Sequence, residues 1–420
     1  MPEIADRTAL SGMNLPMMTA CKRLRVTLAL LSVSRVTSAQ DLDDFIRLFA
    51  EDQYSYDDNL FRIPSGISPA EEGIGSSRTD RINTTALGIN LQKALASQQV
   101  QLALYLANSR FAHNTDLNNT SGRANIQLQW TAGPALMGTL GSSFARSLAS
   151  FTDTDYFARD LIETTQIFGT AHFRIRASWY LDGSLSNTQT VHSADARQGD
   201  DFHGKSATIG TRYVTPDENY IGISYRYSNG RYPSSIVIDD QSFDPSYHDS
   251  LGQVLIKYTP AQQTVLNISA GYLQRSYPSS SFGAFSGQIW RASLDWSVSD
   301  KTQIALSTWR DLTANVDSES DYFVTRGVSL VPTWSPSQRI HLKLDGSIAQ
   351  QDYINAARSL LLYDSRNERV KTLSSTIEYD PRDLLTLRLA YDIEDRSSNR
   401  DRFNYTDHTV SLTAMLEFER

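Results

Sequence analysis

The 420-residue chain has a single cysteine, Cys21, and its longest near-apolar run is only Val26 to Val33. One cysteine excludes a disulfide framework and a thiolate metal site. A run that short falls well below the roughly 18 apolar residues a membrane helix needs. Basic residues are also in deficit, with 39 Lys and Arg against 47 Asp and Glu and a formal charge of -8. That balance argues against nucleic acid as a partner, because affinity for a phosphate backbone depends on Lys and Arg. Chemistry-bearing motifs are missing too. The seven histidines, His113, His172, His192, His203, His248, His341 and His408, fall mostly in expected loops. None forms H-E-x-x-H, and no G-x-S-x-G, P-loop or dinucleotide fingerprint follows an expected strand. No catalytic residue, metal site or cofactor is therefore expected, and no enzyme. Asp239, Asp240, Asp244 and Asp249 crowd one segment; carboxylates suit Ca²⁺, but solvated acids of an exposed loop are the simpler account.

The absence of long apolar runs does not exclude a membrane protein, since in a β-barrel only every second residue faces lipid. The first 39 residues read as a signal peptide: Lys22, Arg23 and Arg25 form a basic region, Val26 to Val33 a short apolar core, and Thr37-Ser38-Ala39 a small-residue cleavage site. Met17 or Met18 would be the more regular start. Removing that leader takes away five basic and two acidic residues, leaving 34 Lys and Arg against 45 Asp and Glu in a cysteine-free chain. Residues 40–420 then form one domain.

What is present is alternation. Ala124, Ile126, Leu128 and Trp130 are separated by Asn125, Gln127 and Gln129, and the same period of two recurs in Ile221-Ile223-Tyr225-Tyr227, Trp290-Ala292-Leu294-Trp296, Leu385-Leu387-Leu389-Tyr391 and Val410-Leu412-Ala414-Leu416-Phe418. Such segments are half-buried strands of the length a lipid-facing barrel uses. Short turns are expected near 96–98, 132–134, 174–176, 215–218, 259–262, 299–301, 335–337 and 381–383, with long polar segments between them. Eight short turns join nine up-and-down pairs when both chain ends lie on the same side, which predicts an all-β, transmembrane, antiparallel up-and-down barrel of about 18 strands in a bacterial outer membrane, both termini periplasmic. Trp130, Tyr213, Tyr258, Trp296, Trp334, Tyr379 and Phe418 sit at strand ends beside the short turns or the C-terminus, as an interfacial girdle requires.

If the apolar set faces lipid, the alternate positions line the lumen, among them Gln166, His172, Asp182, Asn267, Asp295 and Asp345. The basic members, Arg212, Arg226, Lys257, Arg291, Lys343 and Arg388, form a path that attracts anions if it is open. The alternative is that they pair with Asp295, Asp345 or Asp392 as wall structure. Arg326 falls on the lipid-facing register between Val324 and Val328, which puts it near the headgroups or marks a register slip.

After the first expected strand comes Tyr56-Asp57-Asp58-Asn59-Leu60-Phe61-Arg62. Further on are Arg81-Ile82-Asn83-Thr84-Thr85 leading into Leu87-Gly88-Ile89-Asn90-Leu91, and Arg146-Ser147-Leu148-Ala149-Ser150-Phe151 followed by Glu163-Thr164-Thr165. These stretches resemble the EpsL-type outer-membrane proteins of exopolysaccharide operons, within the wider β-barrel porin group. The resemblance implies export of a polysaccharide chain across the outer membrane, in contact with outer-membrane lipid and lipopolysaccharide and with periplasmic export machinery. Two other readings stand beside it: a general or solute-specific diffusion porin, and a closed structural or adhesive barrel. Tyr105, Tyr180 and Gln129 on the expected inner wall suit sugars as well as other polar solutes.

Overall fold

The computed structural model describes residues 44–419 except 71–72, 153–155, 239–240, 279–283, 318–319 and 355–364; the expected leader lies outside them. The strands are β1 (Phe45–Asp57), β2 (Asp80–Leu95), β3 (Gln98–Phe111), β4 (Asn119–Ala132), β5 (Leu136–Leu148), β6 (Leu161–Arg176), β7 (Trp179–His192), β8 (Phe202–Val214), β9 (Tyr220–Arg231), β10 (Ile236–Ile238), β11 (Gln241–Phe243), β12 (Tyr247–Ala261), β13 (Thr264–Ser276), β14 (Phe285–Ser299), β15 (Thr302–Asp317), β16 (Ser320–Ser337), β17 (Ile340–Ile354), β18 (Asn367–Arg382), β19 (Leu385–Ser398) and β20 (Tyr405–Glu419). All but β10 and β11 belong to one 18-stranded antiparallel sheet. It closes because β1 pairs with both β2 and β20, which leaves no free edge. The small β10–β11 hairpin rises from the β9–β12 loop.

All eight short turns fall where alternation breaks in the sequence, from Ala96 in the β2–β3 turn to Asp383 in the β18–β19 turn. Ala96 and Glu218 adopt positive φ, 55° and 60°, in two of them. Both ends of the described chain lie at this short-turn end, and the long connections gather at the other. Outside three short 3-10 segments there is no helix among the described residues, so the wall itself must satisfy every backbone group in lipid.

Facing follows parity. Leu87, Leu106, Leu185, Ile209, Ile223 and Leu412 are exposed to 57–67% although large and apolar, because the closed sheet offers nothing outside for them to pack against. They form the outward apolar band of a membrane barrel. Tyr213, Tyr258, Trp296, Trp334, Tyr379 and Phe418 are exposed beside the short turns, giving six of the seven expected girdle residues, while Trp130 is only half-exposed. Arg326 also points outward, 55% exposed and 3.5 Å from Asp352, and it pairs in register with Arg310 and Gln350. No slip is needed to explain it.

Two expectations are corrected. Only His113 of the seven histidines lies in a loop; the other six are in strands. Their short polar flanks resemble loop sequence, but they alternate in parity with apolar neighbours. Asp249 is likewise no loop residue: it faces inward on β12, and both its oxygens accept from Arg275 at 2.7 Å.

Candidate transport lumen and its mouth

The inner wall is rich in hydroxyls and amides, placed by the odd or even parity of each strand. Cross-strand hydroxyl pairs tie it together: Ser307 with Ser329 at 2.8 Å, Ser347 with Thr372 at 2.7 Å, Thr84 with Ser109 at 2.9 Å. Each satisfies its neighbour and still offers a lone pair or proton to a passing solute. The lumen admits water, since in the short-turn half the inward side chains of Lys343 and Asp345 remain 49% and 44% exposed and Arg291, midway along β14, is exposed as well.

The six basic residues expected to line the path all face inward, but they are not alike. Arg212 Nε lies 3.2 Å from Asp182, Arg388 3.0 Å from Glu378, and Lys343 4.0 Å from Asp345. Asp182 is also held by His172 Nδ1 at 2.6 Å, and Arg212 rests over the rings of Tyr180 and Tyr220. These three cations are wall structure, although of the expected partners Asp295, Asp345 and Asp392 only Asp345 takes part. Arg226, Lys257 and Arg291 make no ion pair among the described residues. They stand on β9, β12 and β14, and Arg226 feels Asp249 and Asp311 only through space.

The charges are also unevenly spread around the wall. Inward cations Arg212, Arg226, Lys257, Arg275 and Arg291 occupy five consecutive barrel strands, β8, β9, β12, β13 and β14. Inward carboxylates Asp345, Glu378, Asp392, Glu394, Glu417 and Glu51 occupy β17 through β20 and β1. Both arcs are nonetheless mixed, with Asp249 and Asp295 inward on β12 and β14 and Lys343, Arg388 and Arg396 inward on β17 and β19, and low-dielectric walls strengthen the local fields of these charges.

At the long-loop end the passage narrows. Leu60, Phe61 and Ile63 of the β1–β2 connection pack with Phe111, Leu117 and Phe151 in one apolar cluster, with Phe61 and Phe151 rings 5.0 Å apart. Each fully buried side chain of this size contributes about 1.5–3 kcal/mol, enough to hold loops over a mouth. The β5–β6 connection reaches further: the carbonyl of Thr152 accepts from Arg396 at 2.6 Å. Five strands stand between β5 and β19 around the wall, so this contact spans the opening. Arg396 and Arg366 share the buried carboxylate of Glu368, and Arg366 lies flat on Phe403 and Tyr353. Asp160 secures the other side of that loop, accepting from His192 Nδ1 at 2.7 Å and from the Ala194 N–H at 3.1 Å. Burial works to raise the Asp160 carboxyl, but these hydrogen bonds outweigh it and hold it below its ordinary value.

The Tyr56–Arg62 stretch acquires a structural role. Asp58 accepts from the His408 N–H while its own N–H donates to the His408 carbonyl, and Asn59 donates to the carbonyls of Thr406 and Ile63. Arg62, at φ 56°, lies 3.0 Å from Asp57 and 2.9 Å from Asp407. The carboxylates of Asp57, Asp58 and Asp407 lie within 4.8 Å of one another, and Arg62 supplies their countercharge. Tyr56 points outward and Leu60 and Phe61 enter the apolar cluster. The stretch thus staples the first strand to the last, where the barrel closes.

Arg275, Glu368 and Arg396 were not singled out from sequence. Arg275 and Arg396 share the inward parity of Asn267 on β13 and Arg388 on β19, eight residues nearer the loops, so extending those two strands would have found them; on β18 no inward residue was expected, so Glu368 had no such signal. Their pairing had no sequence signal.

The family described as putative beta-barrel porin 2 matches residues 263–418, the stretch from the end of the β12–β13 turn through β20, rather than the first third where the motifs lie. No match is found among curated proteins. Among solved structures the chain is similar to a BenF-like porin from Pseudomonas fluorescens Pf-5, with 10% identity, 90% of this chain and 99% of that chain covered, and a TM-score of 0.49. It is also similar to OccK9 (OpdG) of Pseudomonas aeruginosa, at 12%, 90%, 99% and 0.48, and to OccAB3 of Acinetobacter baumannii, at 10%, 90%, 100% and 0.48. The closed wall and its outward apolar band are the architecture of an outer-membrane β-barrel, and the match to a porin family covers its last eight strands.

Proposed function

We propose that the barrel is a diffusion channel for small polar solutes, with the long loops outside the cell and both chain ends in the periplasm. The observation that carries this reading is the lumen itself: a hydrated wall of hydroxyls and amides carrying charges of both signs, beneath a mouth narrowed by folded loops. A polar solute trades its water for wall hydrogen bonds, and its charged groups meet wall charges of either sign. Lys257 and Arg291, which carry no ion pair among the described residues, are the residues that bias the pore toward anions. Exopolysaccharide export, implied by the resemblance, asks for a bore that passes a continuous polymer; the contact from Thr152 to Arg396 across the opening favours small solutes instead.

Planar-bilayer recordings test the proposal. The protein alone should conduct, and its reversal potential in a salt gradient should report anion preference. Lys257→Gln with Arg291→Gln should move that potential toward cation preference, more strongly at low salt, where screening is weaker. Absence of any conductance would favour a closed structural barrel, and an unchanged reversal potential at low salt would remove the two cations from the selectivity mechanism.

A further inference from the structure

On four consecutive strands the outward apolar band ends in a charge at the long-loop end. On β15 Ile304 and Leu306 give way to Thr308 and Arg310; on β16 Leu330 and Val328 give way to Arg326. On β17 Ile348 gives way to Gln350 and Asp352, and on β18 Leu373 gives way to Lys371 and Arg369. Arg310, Arg326, Gln350 and Arg369 lie on one hydrogen-bonded row, each directly opposite the next. The band does not resume above Arg310 and Arg326, because Leu312, Tyr322 and Val324 are buried with Leu251, Leu273 and Phe285.

Arg310 and Arg326 are like charges directly opposite in an antiparallel pair, an arrangement that destabilises a sheet unless an anion intervenes. The protein supplies little. Arg310 donates to the Gln288 carbonyl, Arg326 has Asp352 at 3.5 Å and Lys371 has Asp395 at 3.4 Å, so four cations meet two carboxylates. Arg369 is exposed and makes no ion pair among the described residues. Guanidinium groups retain several donors in a planar fork that matches phosphate. A row of them at the rim of the hydrocarbon band meets headgroups rather than bulk solution.

We infer that the outward face of β15–β18 is a binding site for the phosphate groups of the outer leaflet's phosphorylated glycolipid, held by Arg310, Arg326, Arg369 and Lys371. This rests on the proposed orientation, which sets the long-loop end in the outer leaflet. The site anchors the barrel at a fixed depth and seals the wall where the row of arginines would otherwise repel itself.

The test is titration of the full-length protein in detergent micelles with fluorescent bisphosphorylated lipid A. Arg310→Gln, Arg326→Gln and Arg369→Gln together should weaken binding by about tenfold or more, the factor that one lost charge-assisted contact already supplies. Lipid A without phosphates should bind no better to the parent than the bisphosphorylated form binds to the variant, and inorganic phosphate at equal phosphate concentration should not displace it. Unchanged affinity in the variant, or displacement by inorganic phosphate, overturns the site. If the triple variant fails to assemble, Arg369→Gln alone, at the exposed end of the row, must still weaken binding, and unchanged affinity there has the same meaning. Single-channel conductance should be unaltered, since none of these residues faces the lumen. Orientation is read separately, by labelling Ser234→Cys on intact cells; label reaching it only from the periplasm overturns the orientation, whereas the micelle titration judges the site whichever way the barrel lies.

Discussion

Leu294→Arg measures whether the outward face truly contacts hydrocarbon. Leu294 lies on β14 between Leu266 of β13 and Leu306 of β15, two residues from the middle of a 15-residue strand. At a rise of about 3.3 Å per residue and a tilt near 40°, two residues correspond to about 5 Å of depth, well inside an apolar band about 25 Å tall. An arginine there costs about 2–4 kcal/mol, which is a factor of about 30 to 1,000 in the folding equilibrium. Ser293, one residue away, faces the lumen between Asn267 and Ser307; an arginine at that position meets water and should cost about 0.5 kcal/mol. Urea titrations of both variants refolded into liposomes, followed by tryptophan fluorescence and by heat-modifiable migration, give the two numbers. Equal losses, or the larger loss for Ser293→Arg, would refute the facing of this strand and with it the parity rule applied to the others.

Asn59→Ala should destabilise the barrel by about 2 kcal/mol, because it leaves the buried carbonyl of Ile63 and the part-buried carbonyl of Thr406 without this donor; a loss below about 0.5 kcal/mol in urea titration would deny the seam its staple. Arg396→Gln should cost about 3 kcal/mol at the low end for a broken buried pair, as Arg366 still compensates Glu368. By releasing Thr152 it should also raise single-channel conductance, and unaltered conductance would show that the β5–β6 connection does not limit the passage. An impermeant maleimide should label Ser234→Cys on intact cells and leave Gln262→Cys, in the β12–β13 turn, unlabelled; the reverse pattern would invert the barrel.

Much of the fold was legible because its signals are local. Alternation along β4, β9, β14, β19 and β20 reports facing, since successive side chains of a strand point to opposite sides, and a turn is announced where that alternation breaks. The girdle from Tyr213 to Phe418 was legible for the same reason. The inward direction of Lys257 and Arg291 followed from parity alone. Histidines misled: His192, His203, His248, His341 and His408 sit near strand ends where polar neighbours imitate a loop.

Pairing was not legible, because it joins strands whose contacts depend on register and closure. Arg212 meets Asp182 across 30 residues of chain, and Arg275 meets Asp249 across 26. The mouth is more remote still, with Arg396 reaching Thr152 at a separation of 244 and Asn59 reaching Thr406 at 347. Alternation by itself determined that this chain forms a closed antiparallel wall of 18 strands and which side chains line it, because a period of two is a property of neighbouring residues. Only the tertiary structure decided which cations stay free, how the loops narrow the mouth, and that Tyr56–Arg62 fastens the seam, because those outcomes depend on side chains brought within hydrogen-bonding distance when the ends of the sheet meet.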